Sequence, residues 1–179
     1  MTITAPPPIT VRRATPNDAP SIADLGVRVF SLSFGHSVSS EQLQAYLGKA
    51  YSIPAITADV TNPLKDTVVA ATPAGALIGF AILTRGSSEP CIAHLDSTIE
   101  LQRLYIDLAY HGKGVGKMLA LEVEGIARER GFKKIWLGVW EESYKARKVY
   151  ERLGYKVVGS REFQLGGVAQ LDHVMLKAL

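Results

Sequence analysis

The stretch from Ile99 to Ala120 holds the residues whose types and spacing are best suited to ligand chemistry. An apolar, strand-like run at Ile99–Ile106 leads through a glycine-rich turn at Gly112–Gly116 into an amphipathic helix. Backbone N–H groups in the first turn of a helix have no partners within the helix, and the helix dipole adds partial positive charge there. Glycines allow a phosphate group to approach these N–H groups closely. The stretch therefore predicts a binding site for a phosphate-bearing ligand.

The glycine loop does not fit two common nucleotide-binding motifs. A nucleotide P-loop requires GxxxxGK[ST], but Gly112 and Gly116 are one residue too close, and Met118 replaces the magnesium-binding hydroxyl. A dinucleotide fingerprint requires GxGxxG after the first strand, but here the third glycine comes one residue early and the loop lies past mid-chain. A purely structural turn also fits the loop when it is considered alone. The elements around the loop are needed to distinguish a ligand-binding loop from a structural turn.

The elements that would position the loop alternate between strands and helices. Apolar patterns predict strands at residues 9–14, 66–72, 76–85, 98–107, 134–140, 155–164 and 168–177. Helix signals cover residues 15–30, 39–51, 115–130 and 143–153, and a short helix within 52–62 is left open. The order β-α-α-β-β-β-α-β-α-β-β predicts an α/β fold around one mixed sheet. Residues 9–179 are expected to form a single domain, preceded by a flexible proline-rich tail at residues 1–8.

Composition narrows the class of protein. The 179 residues are 47% hydrophobic and 21% charged, which is typical of a soluble globular protein. No apolar run is long enough for a membrane helix, and MTITAPPPIT lacks the basic and apolar regions of a secretory signal. The only cysteine, Cys91, excludes an internal disulfide and favours a reducing, cytoplasmic location. The four histidines show no paired ligand spacing, so no metal site and no membrane association are expected.

Positive charge is concentrated around the glycine loop. Residues 111–162 contain twelve Lys/Arg against seven Asp/Glu, whereas residues 1–98 contain six against seven. This asymmetry suits a small anionic ligand. Nucleic acid could produce the same asymmetry, but the sequence has no basic run and no clustered aromatic platform. No nucleic-acid partner is therefore expected.

Two motifs in the expected order give a resemblance to a known family. The first is ELQRLYI at 100–106 followed by YHGKGVG at 110–116, and the second is SYKARKVYERLGY at 143–155. Together they resemble the GNAT superfamily of acetyl-CoA-dependent N-acetyltransferases, whose core reads roughly E-L-x-R-L-Y-V, [YF]-[RQ]-G-x-G-[IV]-G and N-x-x-A-x-x-x-Y-x-x-x-G-[FY]. The chain departs from this pattern at Leu108 (usually Pro), His111 (usually Arg or Gln) and Ser143 (usually Asn).

The resemblance implies a fold and a cosubstrate. It implies a GNAT-like mixed, mostly antiparallel central sheet of about seven strands flanked by about four helices. It also implies acetyl-CoA as cosubstrate, with backbone N–H groups around Leu104–Ile106 stabilising the oxyanion. The residues that it places against the coenzyme lie at the strand end, in the loop and near the start of the later helix: Leu104, Tyr105, Ile106, His111, Gly112, Lys113, Gly114, Val115, Gly116, Lys117, Ser143 and Ala146.

Amine acetylation requires a base and an acid. An amine whose pKa is about 10.4 must lose a proton before it attacks. The thiolate leaving group can take a proton from a phenol, whose pKa is about 10. Tyr150 matches the family tyrosine to which the acid role belongs. Glu100 matches a strand glutamate that many members use as base, directly or through water; the rival candidates are Asp107, His94, Glu141 and Glu142. Strand alternation predicts that Glu100 shares one face with Gln102, Leu104 and Ile106.

The sequence thus predicts an N-acetyltransferase that acts by direct attack of a primary amine in a ternary complex. Similarity of ELQRLYI to members that act on small polyamines favours a small-molecule amine of that kind. A protein N-terminus or lysine as acceptor, and a non-catalytic acyl-CoA-binding module, are the alternatives. We expect residues 25–60 and 160–170 to select the acceptor, but no motif in these ranges indicates which acceptor it is. The sequence does not decide whether the protein forms a homodimer.

Overall fold

Residues 8–179 are described by a computed structural model, so positions 1–7 of the predicted tail lie outside the described residues. The described chain forms one sheet of seven strands in the order β1-β2-β3-β4-β5-β7-β6. The strands are β1 (Thr10–Arg13), β2 (Lys65–Ala71), β3 (Leu77–Thr84), β4 (Thr98–Ile106), β5 (Lys134–Trp140), β6 (Lys156–Leu165) and β7 (Val168–Ala178).

The α-helices within residues 8–179 are α1 (Ala19–Phe34), α2 (Ser40–Ala50), α3 (Ile53–Thr61), α4 (Val115–Glu129) and α5 (Tyr144–Arg152). The segment left open in the sequence is α3, since the Ser52 side chain accepts a hydrogen bond from the Ala55 N–H at 3.3 Å and caps the helix. Helix α1 extends beyond its predicted end at Phe30, because Phe30 and Phe34 stack at 4.5 Å and continue its packed stripe. In the described part of the chain, none of the helices has the length and apolar character needed to cross a membrane.

The sheet is mixed because of one pair of strands. Neighbouring strands run antiparallel except β4 and β5, which pair in parallel through Thr98–Lys134, Ile99–Ile135 and Glu100–Trp136. This pairing covers only the first three residues of each strand. Beyond it, β4 continues against β3 and β5 continues against β7, so a gap opens between their carboxyl ends. The predicted mixed, mostly antiparallel sheet of seven strands is confirmed.

A bulge in β4 changes which side chains point to each face of the sheet. The register of β4 against β3 shifts by one residue at Gln102. The β4 side chains that pack in the core under α4 therefore change from odd to even positions: Ile99, Leu101, Leu104 and Ile106. Glu100 lies on the opposite face, which after the bulge carries Tyr105. The expectation that Glu100 shares a face with Leu104 and Ile106 is wrong, because the extra residue reverses the alternation.

Helices cover the two faces of the sheet separately. Helix α4 buries Val115, Leu119 and Val123 against one face, and α5 packs on the same core; we call this the α4 face. Helices α1, α2 and α3 bury Leu25, Leu47 and Ile56 against the other, which we call the α1 face. The gap between β4 and β5 therefore lies between a face covered by α4 and α5 and a face covered by α1, α2 and α3.

Candidate active site

The glycine loop leaves an open helix N-terminus at the end of β4. Gly112 and Gly114 have φ values of +74° and +82°, in the left-handed region, and nothing lies within 4 Å of the position of an added Cβ. Gly114 is the N-cap of α4 and supplies no side-chain cap. The N–H groups of Val115, Gly116 and Lys117 therefore have no partners within the helix. This arrangement fits a pyrophosphate bound by backbone N–H groups.

Gly116 lets the loop pack tightly against the end of β4. An added Cβ at Gly116 would stand 2.8 Å from Cδ1 of Ile106. The exposed His111 places Nε2 3.1 Å from the carbonyl oxygen of Ile106, so its ring folds back onto the strand. Lys113 holds its ammonium 4.8 Å from the centre of the Tyr110 ring. The loop thus presents a cationic side chain beside the open helix terminus.

Asp107 joins the loop to α1. Its carboxylate accepts hydrogen bonds from Nη1 of Arg28 at 2.7 Å and from the N–H of Ala109 at 3.0 Å. These two hydrogen bonds lower the pKa of Asp107 from its ordinary value, the one from Arg28 having the larger effect. A carboxylate with a lowered pKa is a weaker base, which disfavours Asp107 among the candidates. The other rivals lie exposed on the surface: His94, Glu141 and Glu142.

The strand end and α5 meet at the gap between β4 and β5. Leu104, Tyr105 and Ile106 lie beyond the last β4–β5 pair, and α5 begins just after the end of β5. The side chains from the two elements that pack against one core are Leu104, Ile106, Ala146 and Tyr150. Ser143 is the N-cap residue of α5, but its side chain makes no capping hydrogen bond. The predicted coenzyme residues therefore come from elements that converge on one opening.

Tyr150 lies on the α4 side of this opening. Its ring packs against Tyr155, with centroids 5.8 Å apart and planes at 69°. Burial, and then the neighbouring Tyr105 hydroxyl, raises the pKa of Tyr150 well above its ordinary value. The phenol therefore keeps its proton at neutral pH and can donate a hydrogen bond to a sulfur anion in the gap.

Aromatic rings line the α1 face where β4 and β5 separate. They form a connected set of ring contacts: Phe30, Phe34, Tyr46, Tyr51, Tyr105, Trp140 and Phe163. The Tyr51 hydroxyl donates to the Tyr105 hydroxyl at 2.7 Å, and the Arg103 guanidinium lies 4.7 Å from the Tyr51 ring centre. Flat apolar walls with a few hydroxyl groups can hold the carbon chain of a small acceptor.

Three carboxylates converge on one guanidinium beside this aromatic wall. Arg161 lies 3.2 Å from Glu100, 3.3 Å from Asp172 and 3.3 Å from Glu89; we call these four residues the Arg161 cluster. Glu100 and Asp172 are each only 6% exposed. The guanidinium lies over Gly138, where any side chain would displace it. Burial raises the pKa of Asp172, although the charge of Arg161 opposes this.

Sequence reasoning found Glu100 but missed Arg161 and Asp172. Both lie on the final pair of strands, outside either motif. The sequence marks them only as charged residues at positions where the strand alternation points the side chain toward the protein interior. No metal site was expected, and within residues 8–179 no group of three or more His, Cys, Asp or Glu side chains is arranged to hold a metal ion.

Comparisons with known proteins agree with this geometry. Residues 37–155 match the acetyltransferase (GNAT) family. The chain is 30% identical over 162 residues to an uncharacterised N-acetyltransferase of Mycobacterium tuberculosis, covering 90% of this chain and 98% of that protein. It is 32% identical over 90 residues to the "Probable spermine N(1)-acetyltransferase" of Bacillus subtilis subsp. natto, covering 50% and 59% of the two. The PaiA N-acetyltransferase of Thermoplasma acidophilum, solved in complex with coenzyme A, has a similar fold, with a TM-score of 0.77, 22% identity, and coverage of 96% and 99%.

Proposed function

This chain belongs to the acetyltransferase (GNAT) family, and on that premise we propose that it transfers acetyl from acetyl-CoA to a small primary amine. The observation that carries the proposal is the opening between β4 and β5. The open N-terminus of α4 and the buried phenol of Tyr150 lie on one side of it, and the Arg161 cluster lies on the other. Donor and acceptor would thus reach the same point from opposite faces of the sheet.

The coenzyme would be held mainly by backbone groups. The N–H groups of Val115, Gly116 and Lys117 suit the pyrophosphate, and Lys113 adds a positive charge beside them. The acyl arm would lie in the gap along Leu104–Ile106 and Ala146. His111 and Ser143 replace the usual family residues at the two ends of this path, and both remain near it.

Two groups would act on the thioester. Along the described strands, β4 has no partner on its β5 side beyond Glu100, so in the Leu104–Ile106 region the N–H groups that point away from β3, those of Leu104 and Ile106, are available to the carbonyl oxygen. Such N–H groups stabilise the negative charge that develops on this oxygen as the amine attacks. Tyr150 would then donate its phenolic proton to the leaving sulfur. The phenol is protonated before the step, and the second proton that the nitrogen loses as the amide forms can replace the one that it gives.

Glu100 remains the base candidate that the family motif supplies. Its carboxylate faces the α1 side, where the amine would enter, and it is hydrogen-bonded to Arg161. Of the five candidates considered in the sequence, Glu100 alone lies in the Arg161 cluster. The base would take the ammonium proton before attack.

The charge of the cluster supports an acceptor with a second positive group. Three carboxylates share one guanidinium, so the ionised cluster has two more negative charges than positive ones. Ammonium groups separated by an alkyl chain complement such a surface together with aromatic walls. The Bacillus relative bears the name of a spermine acetyltransferase, which is consistent with a polyamine-like acceptor.

A panel of acceptors tests the proposal. Purified protein with acetyl-CoA is assayed for thiol release with spermidine, 1,4-diaminobutane, butylamine, free lysine and a peptide with a free N-terminus. We expect the diamine and spermidine to exceed butylamine in kcat/KM by at least about tenfold, a difference of roughly 1.4 kcal/mol. Preference for the peptide would establish a protein acceptor instead. Tight binding of coenzyme A by calorimetry, without transfer to any amine, would refute catalysis and support a binding module.

A further inference from the structure

We propose that Asp172 is the base that takes the proton from the acceptor ammonium, and that Glu100 positions it through Arg161. This assignment rests on the proposed function and gives the central acid–base step to a residue outside both family motifs. It follows from strand register, from the access to the two oxygens of Asp172 and from the charges around it.

Strand register places Asp172 level with the predicted position of the thioester. Glu100 is paired with Trp136, at the closed end of the gap. Trp140 lies four residues further along β5, about 13 Å away at the usual rise of a strand, and is paired with Asp172 on β7. Tyr105 lies a similar distance beyond Glu100 along the parallel strand β4. Tyr105 and Trp140 therefore flank the open end of the gap, and Asp172 lies beside Trp140 on the next strand, whereas the backbone of Glu100 lies at the closed end.

The charge of Asp172 also affects the pKa values of two tyrosines on the α1 face. Burial is the main cause of the raised pKa of Tyr46, which is about 12, and of the raised pKa of Tyr105. The negative charge of Asp172 adds to both shifts. Asp172 is therefore close enough to interact with side chains of α2 and β4, on the two sides of the acceptor cleft.

One oxygen of Asp172 is available to a substrate. Its Oδ2 accepts a hydrogen bond from Nε of Arg161 at 3.3 Å. Among the described residues, Oδ1 accepts no protein hydrogen bond. A carboxylate that is held by one oxygen and open at the other can receive a proton without moving.

Arg161 orients Asp172 without suppressing its basicity. A guanidinium paired with a single carboxylate would lower the pKa of that carboxylate strongly. Here the same guanidinium also contacts Glu100 and Glu89, both at more than 3 Å, so its charge is shared. The net effect is a raised pKa at Asp172, mainly because of burial. Glu100 thus acts on the reaction by holding Arg161, which holds Asp172.

The proton balance of the step is simple. Oδ1 of Asp172 takes one proton from the ammonium, and the freed nitrogen lone pair forms the N–C bond at the thioester carbon. The C–S bond breaks with its electron pair on sulfur, and Tyr150 gives that sulfur a proton. The second proton of the nitrogen replaces the one that Tyr150 lost. Asp172 then releases its proton to solvent, so one proton leaves per amide formed.

Kinetics of Asp172→Asn against pH tests the assignment, with spermidine as acceptor. We expect kcat/KM at pH 7 to fall by about 10²–10⁴-fold, as for removal of a general base. In the wild type the rate is level above the pKa of Asp172, because base and ammonium are both present. In the variant the rate should rise about tenfold per pH unit toward the pKa of the amine, near 10, because only free amine can attack. Asp172→Glu, which retains a carboxylate, should recover part of the activity.

Three further measurements separate catalysis from structure. Asp96→Asn, at an exposed aspartate in the β3–β4 connection, is the matched control and should behave as wild type in both rate and pH profile. Calorimetry should give the same coenzyme A affinity for Asp172→Asn and wild type within about twofold, since Asp172 lies on the acceptor side. If Asp172→Asn does not fold, as judged by thermal unfolding, Asp172→Ser provides the same loss of the carboxylate in a smaller side chain.

The outcomes are distinct. A kcat/KM for Asp172→Asn within threefold of wild type, or an unchanged pH profile, overturns the assignment. Full loss with the same pH slope in Glu100→Gln, but not in Asp172→Asn, would give the role to Glu100. A partial loss in Glu100→Gln with the wild-type profile shape supports a positioning role. Absence of transfer by the wild type to every amine tested would refute the proposed function itself.

Discussion

Gly138→Ala gives a direct test of how the Arg161 cluster is built. An added Cβ on Gly138 would stand 2.6 Å from Nε and 2.7 Å from Cζ of Arg161, so the guanidinium has to shift by about 1 Å to restore contact distance. Its hydrogen bonds to Glu100 and Asp172 already measure 3.2 and 3.3 Å. A shift of this size weakens both, because they are already at the long end of the range for N–H···O hydrogen bonds.

The cost follows from burial of the two carboxylates. Their side chains are 8% exposed, so each remains desolvated when the guanidinium moves away. Removing one partner of a buried ion pair costs roughly 3–5 kcal/mol, and a displaced guanidinium still provides part of the attraction. We therefore expect a loss of about 2–3 kcal/mol in the free energy of unfolding. For a chain of this length, that corresponds to a decrease of about 4–12 °C in Tm.

The pH dependence of this loss is the discriminating measurement. When Arg161 is displaced, the folded-state pKa of Asp172 rises further above its unfolded value, because the charge that opposed this rise is further away. Groups with raised folded pKa values contribute stability at low pH that is lost as pH rises through those values. The deficit of Gly138→Ala in urea unfolding should therefore be largest at pH 8 and shrink toward pH 4. Gly125→Ala in α4, where an added Cβ meets nothing within 4 Å, is the control and should be at least as stable as wild type. A pH-independent deficit, or none, would refute this account of the cluster.

Three other changes give separate predictions. Tyr150→Phe should lower kcat at least tenfold and leave the coenzyme A affinity from calorimetry nearly unchanged, since general acids contribute about 10²–10⁴-fold; turnover equal to wild type would exclude the acid role. Gly116→Ala, whose Cβ would stand 2.8 Å from Ile106, should overpack the loop by about 1–3 kcal/mol and weaken coenzyme A binding, and an unchanged Kd would contradict this. Asp66→Asn removes a carboxylate that Arg13 and Arg130 each contact at 2.5 Å, and should cost about 3 kcal/mol in urea unfolding at pH 7. Burial alone would raise the pKa of Asp66, but these arginines lower it, so the stability is present at neutral pH and is lost as pH falls below about 4; equal deficits at pH 7 and pH 3 would count against it.

The coenzyme side of the site could be predicted because its chemistry is local in sequence. A strand, a loop with left-handed glycines and an uncapped helix start follow one another within residues 98–117, and each leaves its own pattern. Tyr150 could be proposed for the same reason, since its motif lies on the helix that directly follows β5. The order of strands and the bounds of most elements were also readable, because apolar runs and caps mark them.

The acceptor side of the site could not be predicted in this way, because strand register determines which of its side chains lie together. The bulge at Gln102 has no sequence signature, yet it determines that Glu100 and Tyr105 share a face. Arg161 and Asp172 are brought to Glu100 only by the pairing of β6 with β7 and of β7 with β5. A slip of one residue in either pairing would point these charges to the other face. Alternation alone cannot supply such information.

This difference has a consequence for how acceptors are selected. In the proposed site, coenzyme binding would depend on backbone groups at the start of α4, so most side-chain changes elsewhere would leave it intact. Acceptor binding would depend on side chains from α1, α2 and the last two strands, which meet at contacts that include Trp140 and Phe163, beside the Arg161 cluster. One charge change there alters the balance between carboxylates and guanidinium by a full unit in a largely buried site. We therefore expect few substitutions to be enough to exchange the acceptor class, and we expect them to act on the α1 face beside Gly138.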